Sequence, residues 1–460
     1  MPWVLITENF PYNVRLMSTA QSQSQPKPAQ QLARRLGLFD ATMLVMGGII
    51  GTGIFINPYV VARQVHTPGL ILGAWIAGGI IALVGAFIYA ELGELLPEVG
   101  GQYAYLREAY NPLLAFLYGW TLLLVIQTGG MAAVTITFAR YFSEVTHAAA
   151  PDWLVALIVI VVITIVNCLG VRAGGSVQSA LMVLKIACIA AFVVLGVMYV
   201  KAPQLSLPVA SHPRVPGLIS QFGAAMVPVL FAYGGWQTTS FVAGEMKNPI
   251  RDLPRGLLAG VIGVIVIYTA VNFVCLRALG PENLAATTTP ASAVMRAAFG
   301  ATGGRLIALA IALSALGFLS QGILTAPRVY FAMAEDGAFF RRIAWVNSTT
   351  HVPMYAIVLQ SIWTLVIVFS GSYEQILNYV VCMDWVFFGL SASSLFALRR
   401  RARAKMRVPG HPVTTIAFCA VCVFIVLNTI YRYPANTLIA VAILLSGIPV
   451  YYLWKRNQPT

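Results

Sequence analysis

Twelve stretches of this chain run for roughly 20 residues or more with almost no charge, long enough at about 1.5 Å per residue to cross some 30 Å of hydrocarbon. They are residues 41–62, 67–90, 109–139, 153–171, 173–200, 215–244, 256–276, 306–327, 352–373, 375–398, 408–431 and 433–454. Ten hold no Asp, Glu, Lys or Arg, whereas the fifth holds Lys185 and the tenth Asp384. A chain that is 59% hydrophobic and 10% charged exposes too much apolar surface for water, where about 25% charge is usual. The expected fold is therefore an all-α membrane protein of 12 transmembrane helices.

The net charge of +14 raises nucleic acid as a partner, but the basic residues alternate with the spans. With both termini cytoplasmic, 20 of the 29 Lys and Arg fall on inside segments and eight on outside ones. That is the positive-inside pattern. The densest cluster, Arg399, Arg400, Arg401, Arg403, Lys405 and Arg407, suits an inside loop near anionic headgroups. All six cysteines lie within spans, so no structural disulfide is expected. The first 30 residues carry no long apolar segment, so no cleaved signal peptide is expected, and Met17 could serve as the start.

Irregular backbone within a membrane is tolerable only where it is buried in protein or lines a polar cavity, so helix breaks mark the sites of interest. Span 1 contains GGIIGTGIF, Gly47 to Phe55, and span 6 contains FAYGGW, Phe231 to Trp236, both near mid-span. A single glycine is better read as a packing residue. Two clusters at matching depth, each opening a block of five spans, point instead to interrupted helices. Since five is odd, the blocks enter the membrane from opposite sides, the arithmetic of an inverted repeat with its site at the midplane. A half-helix starting near Gly51, Thr52 and Gly53 would offer amides and a positive dipole end to a carboxylate. The preceding ends, at Ile49 and at Phe231 to Gly234, would offer carbonyls to an ammonium. Together they describe a site for an α-amino acid.

The expected organisation is a cytoplasmic tail at 1–37, a first five-helix repeat at 38–200 and an extracellular connector at 201–217. A second, inverted repeat follows at 218–400, then helices 11–12 at 401–454 and a tail at 455–460.

GGIIGTGIFINP, YAELGELLPEVGGQYAYLREAY (Tyr89 to Tyr110) and LFAYGGWQTTSFVAGEMKNPIRDLPR (Leu230 to Arg255) resemble the amino acid-polyamine-organocation superfamily. Within it the chain is most similar to L-type amino acid transporters and their bacterial relatives, from about Leu36 to Arg400. The resemblance implies the LeuT-like five-plus-five fold with two added helices. It implies substrate contacts at Ile49, Gly51, Thr52, Gly53, Phe231, Ala232 and Gly234, with Ile50, Tyr233 and Gln127 beside them. Phe231 would also close the site from outside, and Glu91 and Glu245, with Glu94, Lys247, Arg251, Asp252 and Arg255, become candidates for a cytoplasmic gate. Gly129 and Gly130 would leave room for the substrate side chain.

Lys185 lies about 12 residues from either end of span 5, too deep to snorkel easily, and an uncompensated charge there costs roughly 2.5–3.5 kcal/mol. Its head should face a polar interior. In the resembled family a lysine here occupies the position of a sodium ion, which implies sodium-independent transport, with Ser320 and Thr325 as available partners. Asp384 is the acid within a span; it could relay protons or be a protonated structural group, and Trp385 beside it could line the pathway.

The five histidines are scattered, with no metal-ligand spacing, and no phosphate-binding G-x-x-x-x-G-K-[ST] occurs. Neither an enzyme, a cofactor, a metal nor an ATP motor is expected. The expected function is a sodium-independent exchanger of neutral L-amino acids; the alternatives are a proton-coupled symporter and, more remotely, a sensor, a channel or a membrane-embedded enzyme. Animal L-type transporters join a single-span partner through a cysteine between helices 3 and 4. Residues 140–153 contain none, so the expectation is a bacterial inner-membrane protein with no covalent heavy chain.

Overall fold

The structure, a computed structural model, describes residues 34–146, 150–200, 215–370, 373–401 and 404–456. Met17, most of the tail at 1–37, the connector at 201–214, Arg403 and residues 457–460 lie outside the described residues. Apart from one bridge between Leu36 and Met246, the described residues form helices and the turns between them. In chain order these are α1 (Leu38–Ile49), α2 (Gly53–Val65), α3 (Pro68–Leu95), α4 (Gln102–Ala109), α5 (Pro112–Thr121) and α6 (Gln127–Thr146). They continue with α7 (Asp152–Cys168), α8 (Val171–Tyr199), α9 (Val215–Ala232), α10 (Pro249–Ala286) and α11 (Pro290–Thr325). The last five are α12 (Pro327–Glu335), α13 (Met354–Ser370), α14 (Tyr373–Arg401), α15 (Val413–Arg432) and α16 (Pro434–Arg456).

Among the described residues, eight helical stretches are long and apolar enough to cross a membrane, and the bent pair α1–α2 makes a ninth. Length alone does not reach twelve: α7 and α13 have 17 residues each, and α9 gives way to a 3-10 segment at Trp236–Glu245. Spans 7 and 8 run longer than their apolar cores. α10 continues past a kink at Gly280 (φ +70°), and α11 begins before one at Gly300 (φ +59°), turns that glycine makes without steric cost.

The predicted third span is continuous from Pro112, capped by the Asn111 side chain, which accepts from the Leu114 amide at 2.8 Å. It carries one feature its sequence does not announce, a π-helical turn at Leu122–Ile126 between α5 and α6. The Thr128 hydroxyl donates to the Leu123 carbonyl at 2.6 Å across that turn. Such turns rotate the residues that follow, and here the next residue is Gln127.

Burial separates inner from outer helices. The most apolar window of Pro112–Ser143 is 83% buried and that of Pro434–Lys455 only 17%, so the first runs through the bundle and the second lies on its rim. α1 packs on α10 and on the 3-10 segment, α2 on α9, and α11 on both α6 and α8. These contacts bring both broken spans to the centre.

A candidate substrate cavity between two broken helices

α1 stops at Ile49, Ile50 is extended (φ −76°, ψ 90°), and α2 restarts at Gly53 with its axis bent by 43°. α9 stops at Ala232, and the chain turns through Gly235 at φ +104° into the 3-10 segment. Both interruptions expected from the glycine clusters are present, and they lie against each other. A Cβ on Gly48 would sit 2.6 Å from the Gly235 carbonyl and 2.9 Å from Thr238 Oγ1, and a Cβ on Gly235 would collide with the Gly48 carbonyl. Backbone packs on backbone, which only glycine permits.

Four side chains hold the breaks open. The buried Tyr268 hydroxyl on α10 reaches the carbonyls of Ile49 (3.0 Å) and Ala232 (3.1 Å), one from each break. Asn57 on α2 donates to the Pro228 carbonyl of α9 at 2.8 Å. The Lys185 ammonium on α8, fully buried, donates to the Ile50 carbonyl, while Ser314 on α11 donates to the Gly51 carbonyl at 3.1 Å. Gly317 leaves space for this lysine, since a Cβ there would stand 3.2 Å from Lys185 Cε and Nζ. Of the polar groups expected to serve Lys185, the Ser320 hydroxyl has no partner among the described residues and Thr325 bonds to Gln321 instead. Ser314, one helical turn and two residues earlier, is the hydroxyl that reaches the break.

Between the breaks lies a cavity of about 80 Å³. By the same measure one water needs roughly 10–15 Å³, so the space holds a small organic molecule. Ile49, Gly51, Thr52, Gly53, Ala232 and Gly234 form one wall; Phe231, Phe318, Gln127, Gly130, Asp384 and Trp385 belong to the remainder. Three residues expected to contact substrate are not part of the lining. Ile50 is turned toward Lys185; Tyr233 packs behind the wall with its ring centre 6.0 Å from Trp75 and 5.0 Å from Tyr268; and Gly130, not Gly129, faces inward because the π turn resets the phase of α6.

The main-chain chemistry is asymmetric. The amides of Thr52 and Gly53 have no partner among the described residues and stand at the start of α2, where the helix dipole favours negative charge. On the other side the Ile49 and Ala232 carbonyls already accept from Tyr268, and Phe231 accepts from the Gly234 amide at 3.1 Å. The anion half of the expected site is open and the cation half is partly used: the Ile49 carbonyl, which also accepts from the Gly51 amide at 2.9 Å, has both lone pairs engaged, whereas the Phe231 and Ala232 carbonyls each retain a second one.

The candidate gate acids lie at the end of the bundle where α1 begins. Glu91 pairs with Arg399 through two bonds (2.5 and 2.6 Å) and accepts from the Val408 amide, while Glu94 accepts from the Lys405 and Met406 amides. Glu245 and Arg328 form a two-bond pair (2.5 and 3.1 Å) with both side chains wholly buried. The Arg35 and Leu36 amides donate to the Glu245 carbonyl, and Lys247 donates back to Leu36, clipping the entrance to α1 against the exit of span 6. Arg107 joins Glu98 to Asp336, which also accepts from Tyr103 at 2.9 Å. Burial and the Asp336 carboxylate hold the Tyr103 phenol well above its ordinary range, so it stays a donor. By contrast, among the described residues Lys247 and Arg255 form no ion pair, and Arg251 pairs only with its neighbour Asp252. Glu91→Gln, which removes the charge facing Arg399, is expected to cost about 1.5–3 kcal/mol, read as a lower melting temperature in detergent. An unchanged melting temperature would show this pair to be ornamental.

Compared with known proteins, residues 36–450 match the family described as amino acid permease. The chain is 31% identical over 438 residues to the serine/threonine exchanger SteT of Bacillus subtilis (strain 168), covering 93% of this chain and 98% of that one. It is 28% identical to the human cystine/glutamate transporter, covering 96% and 89%, and 28% identical to the human large neutral amino acids transporter small subunit 2, covering 93% and 82%.

Proposed function

Because the chain belongs to the amino acid permease family, an amino acid transporter family of the amino acid-polyamine-organocation superfamily, we propose that it carries small neutral L-amino acids by sodium-independent exchange. The observation behind this reading is the pair of opposed helix breaks, with the Thr52 and Gly53 amides turned to a cavity sized for a small zwitterion. The amides take the carboxylate, and the free lone pairs at the end of α9 take the ammonium. Phe231 lines the same cavity and serves as its outer gate. The Glu91–Arg399 and Glu245–Arg328 pairs close the cytoplasmic end. Alternating access then consists of breaking one set of contacts while forming the other.

The proposed frame is twelve spans, with residues 38–200 and 218–400 as inverted five-helix repeats, both termini cytoplasmic, in a bacterial inner membrane and without a covalent heavy chain. Lys185 supports the sodium-independent reading: its ammonium already supplies a positive charge at the Ile50 carbonyl, where a sodium ion would otherwise be needed. The test is counterflow by purified protein in liposomes, with labelled amino acids outside and unlabelled ones inside. Uptake should depend on internal amino acid and be the same in sodium and in choline. Lys185→Ala is expected to lower the exchange rate at least tenfold. Dependence of wild-type uptake on sodium would defeat the role given to Lys185, and uptake driven by a proton gradient with empty vesicles would favour symport, with Asp384 as the proton carrier.

A further inference from the structure

The main-chain wall recognises what all α-amino acids share, which leaves the rest of the cavity to choose among side chains. Most polar groups there are already engaged within the protein. Gln237 accepts from the Gly235 amide at 3.0 Å, Thr238 donates to the Gly235 carbonyl at 2.6 Å, and Gln321 donates to Thr238 at 2.5 Å. Gln127 and Asp384 differ. Neither side chain makes a hydrogen bond or ion pair among the described residues, and both line the cavity. Asp384 is also the ionisable side chain among all the described residues of that lining.

Their placement follows from the fold. Gln127 is the residue that the π turn delivers to the start of α6, and Asp384 lies on α14, which packs against α3 and α6. The carboxylate- and ammonium-binding main chain belongs to α1, α2 and α9. A zwitterion held on that wall therefore directs its side chain toward α6 and α14. A carboxylate left in a largely apolar cavity without a partner is costly, and a ligand group that donates to it recovers that cost.

We propose that Gln127 and Asp384 form a side-chain subsite, and that the substrate is an α-amino acid whose short side chain ends in a hydrogen-bond donor, either a hydroxyl or an ammonium. The inference rests on the transporter reading above; a hydroxyl donor narrows its neutral substrate class, and an ammonium donor replaces that class with a cationic one while leaving amino acid transport in place. A site built to bond a substrate hydroxyl or amine discriminates strongly against the apolar analogue, because that analogue leaves the protein's own polar groups unpaired. A purely apolar cavity barely separates the two.

The experiment uses purified wild-type protein in liposomes loaded with a mixture of amino acids, and measures labelled uptake against isosteric pairs. Threonine is set against valine and serine against alanine for the hydroxyl; 2,4-diaminobutyrate is set against 2-aminobutyrate for the ammonium. In at least one arm the donor-bearing member should win by about tenfold or more in half-saturating concentration, and in Asp384→Asn that ratio should fall below about threefold. The winning arm identifies the donor. Thermal stabilisation of the detergent-purified protein by the same pairs gives a second reading that does not require the variant to transport. Equal uptake of both members in every pair, or a preference that survives intact in a folded Asp384→Asn protein, overturns the subsite while leaving the transporter reading in place. If no amino acid moves or stabilises the protein at all, both fall together.

Discussion

Gly235→Ala is expected to lower transport about a hundredfold, because it forces apart the two breaks that make the site. The residue sits at φ +104°, where a Cβ is strained, and that Cβ would run into the Gly48 carbonyl. Either the turn between α9 and the 3-10 segment changes or α1 is pushed away; both move the wall that holds the zwitterion. The loss should fall mainly on transport and less on folding, since the strain is local and of order 1–3 kcal/mol. Gly73→Ala is the matched control, as a Cβ there meets nothing within 4 Å, and it should transport normally. Counterflow and a melting curve on both variants decide the matter: wild-type exchange by Gly235→Ala would show that the close approach of the breaks does not position the substrate.

Arg328→Met is expected to have the largest effect on stability. Arg328 and Glu245 are both sealed from solvent, joined by two bonds, with a further bond from Arg328 Nη1 to the Leu324 carbonyl at 2.5 Å. Truncating one partner leaves a buried carboxylate with no counter-charge, at a cost of about 3–5 kcal/mol. Replacing both, as Glu245→Gln with Arg328→Met, removes the stranded charge and should recover much of that loss. A melting temperature in detergent that falls steeply for the single variant and partly returns for the double one is the expected pattern. A double-variant loss equal to the sum of the losses of Arg328→Met and Glu245→Gln measured singly would mean that the charges act independently.

The helix breaks were legible because glycine in a lipid helix carries a cost that only a close backbone approach or a turn repays, so Gly47–Gly53 and the FAYGGW cluster stand out. Lys185 was legible for a related reason: a lysine so deep must find an oxygen, and it does, at Ile50. The residues that complete the site were not. Tyr268 and Ser314 are single polar side chains on apolar spans, with nothing local to show that one bridges both breaks and the other caps Gly51. Arg328 reads as one more inside-loop cation, yet it begins α12 and is wholly buried against Glu245. The π turn at Leu122–Ile126 was not read from the sequence; of the α6 residues expected at the site, Gln127 and Gly130 line the cavity and Gly129 does not.

Hydropathy alone determined that this chain lives in lipid, for any arrangement must remove those long apolar stretches from water, and the glycine clusters determined where two of them would break. Which helices form the centre and which the rim was decided only by tertiary packing. Pro112–Ser143 and Pro434–Lys455 both pass as spans, yet one is mostly buried and the other mostly bare. Lipid and protein interior are equally apolar, so a sequence pattern cannot tell one from the other. The same physics left Asp384 ambiguous until its position was known: an acid in a span has to face something polar, and only the fold shows that it faces the cavity rather than a partner in the protein.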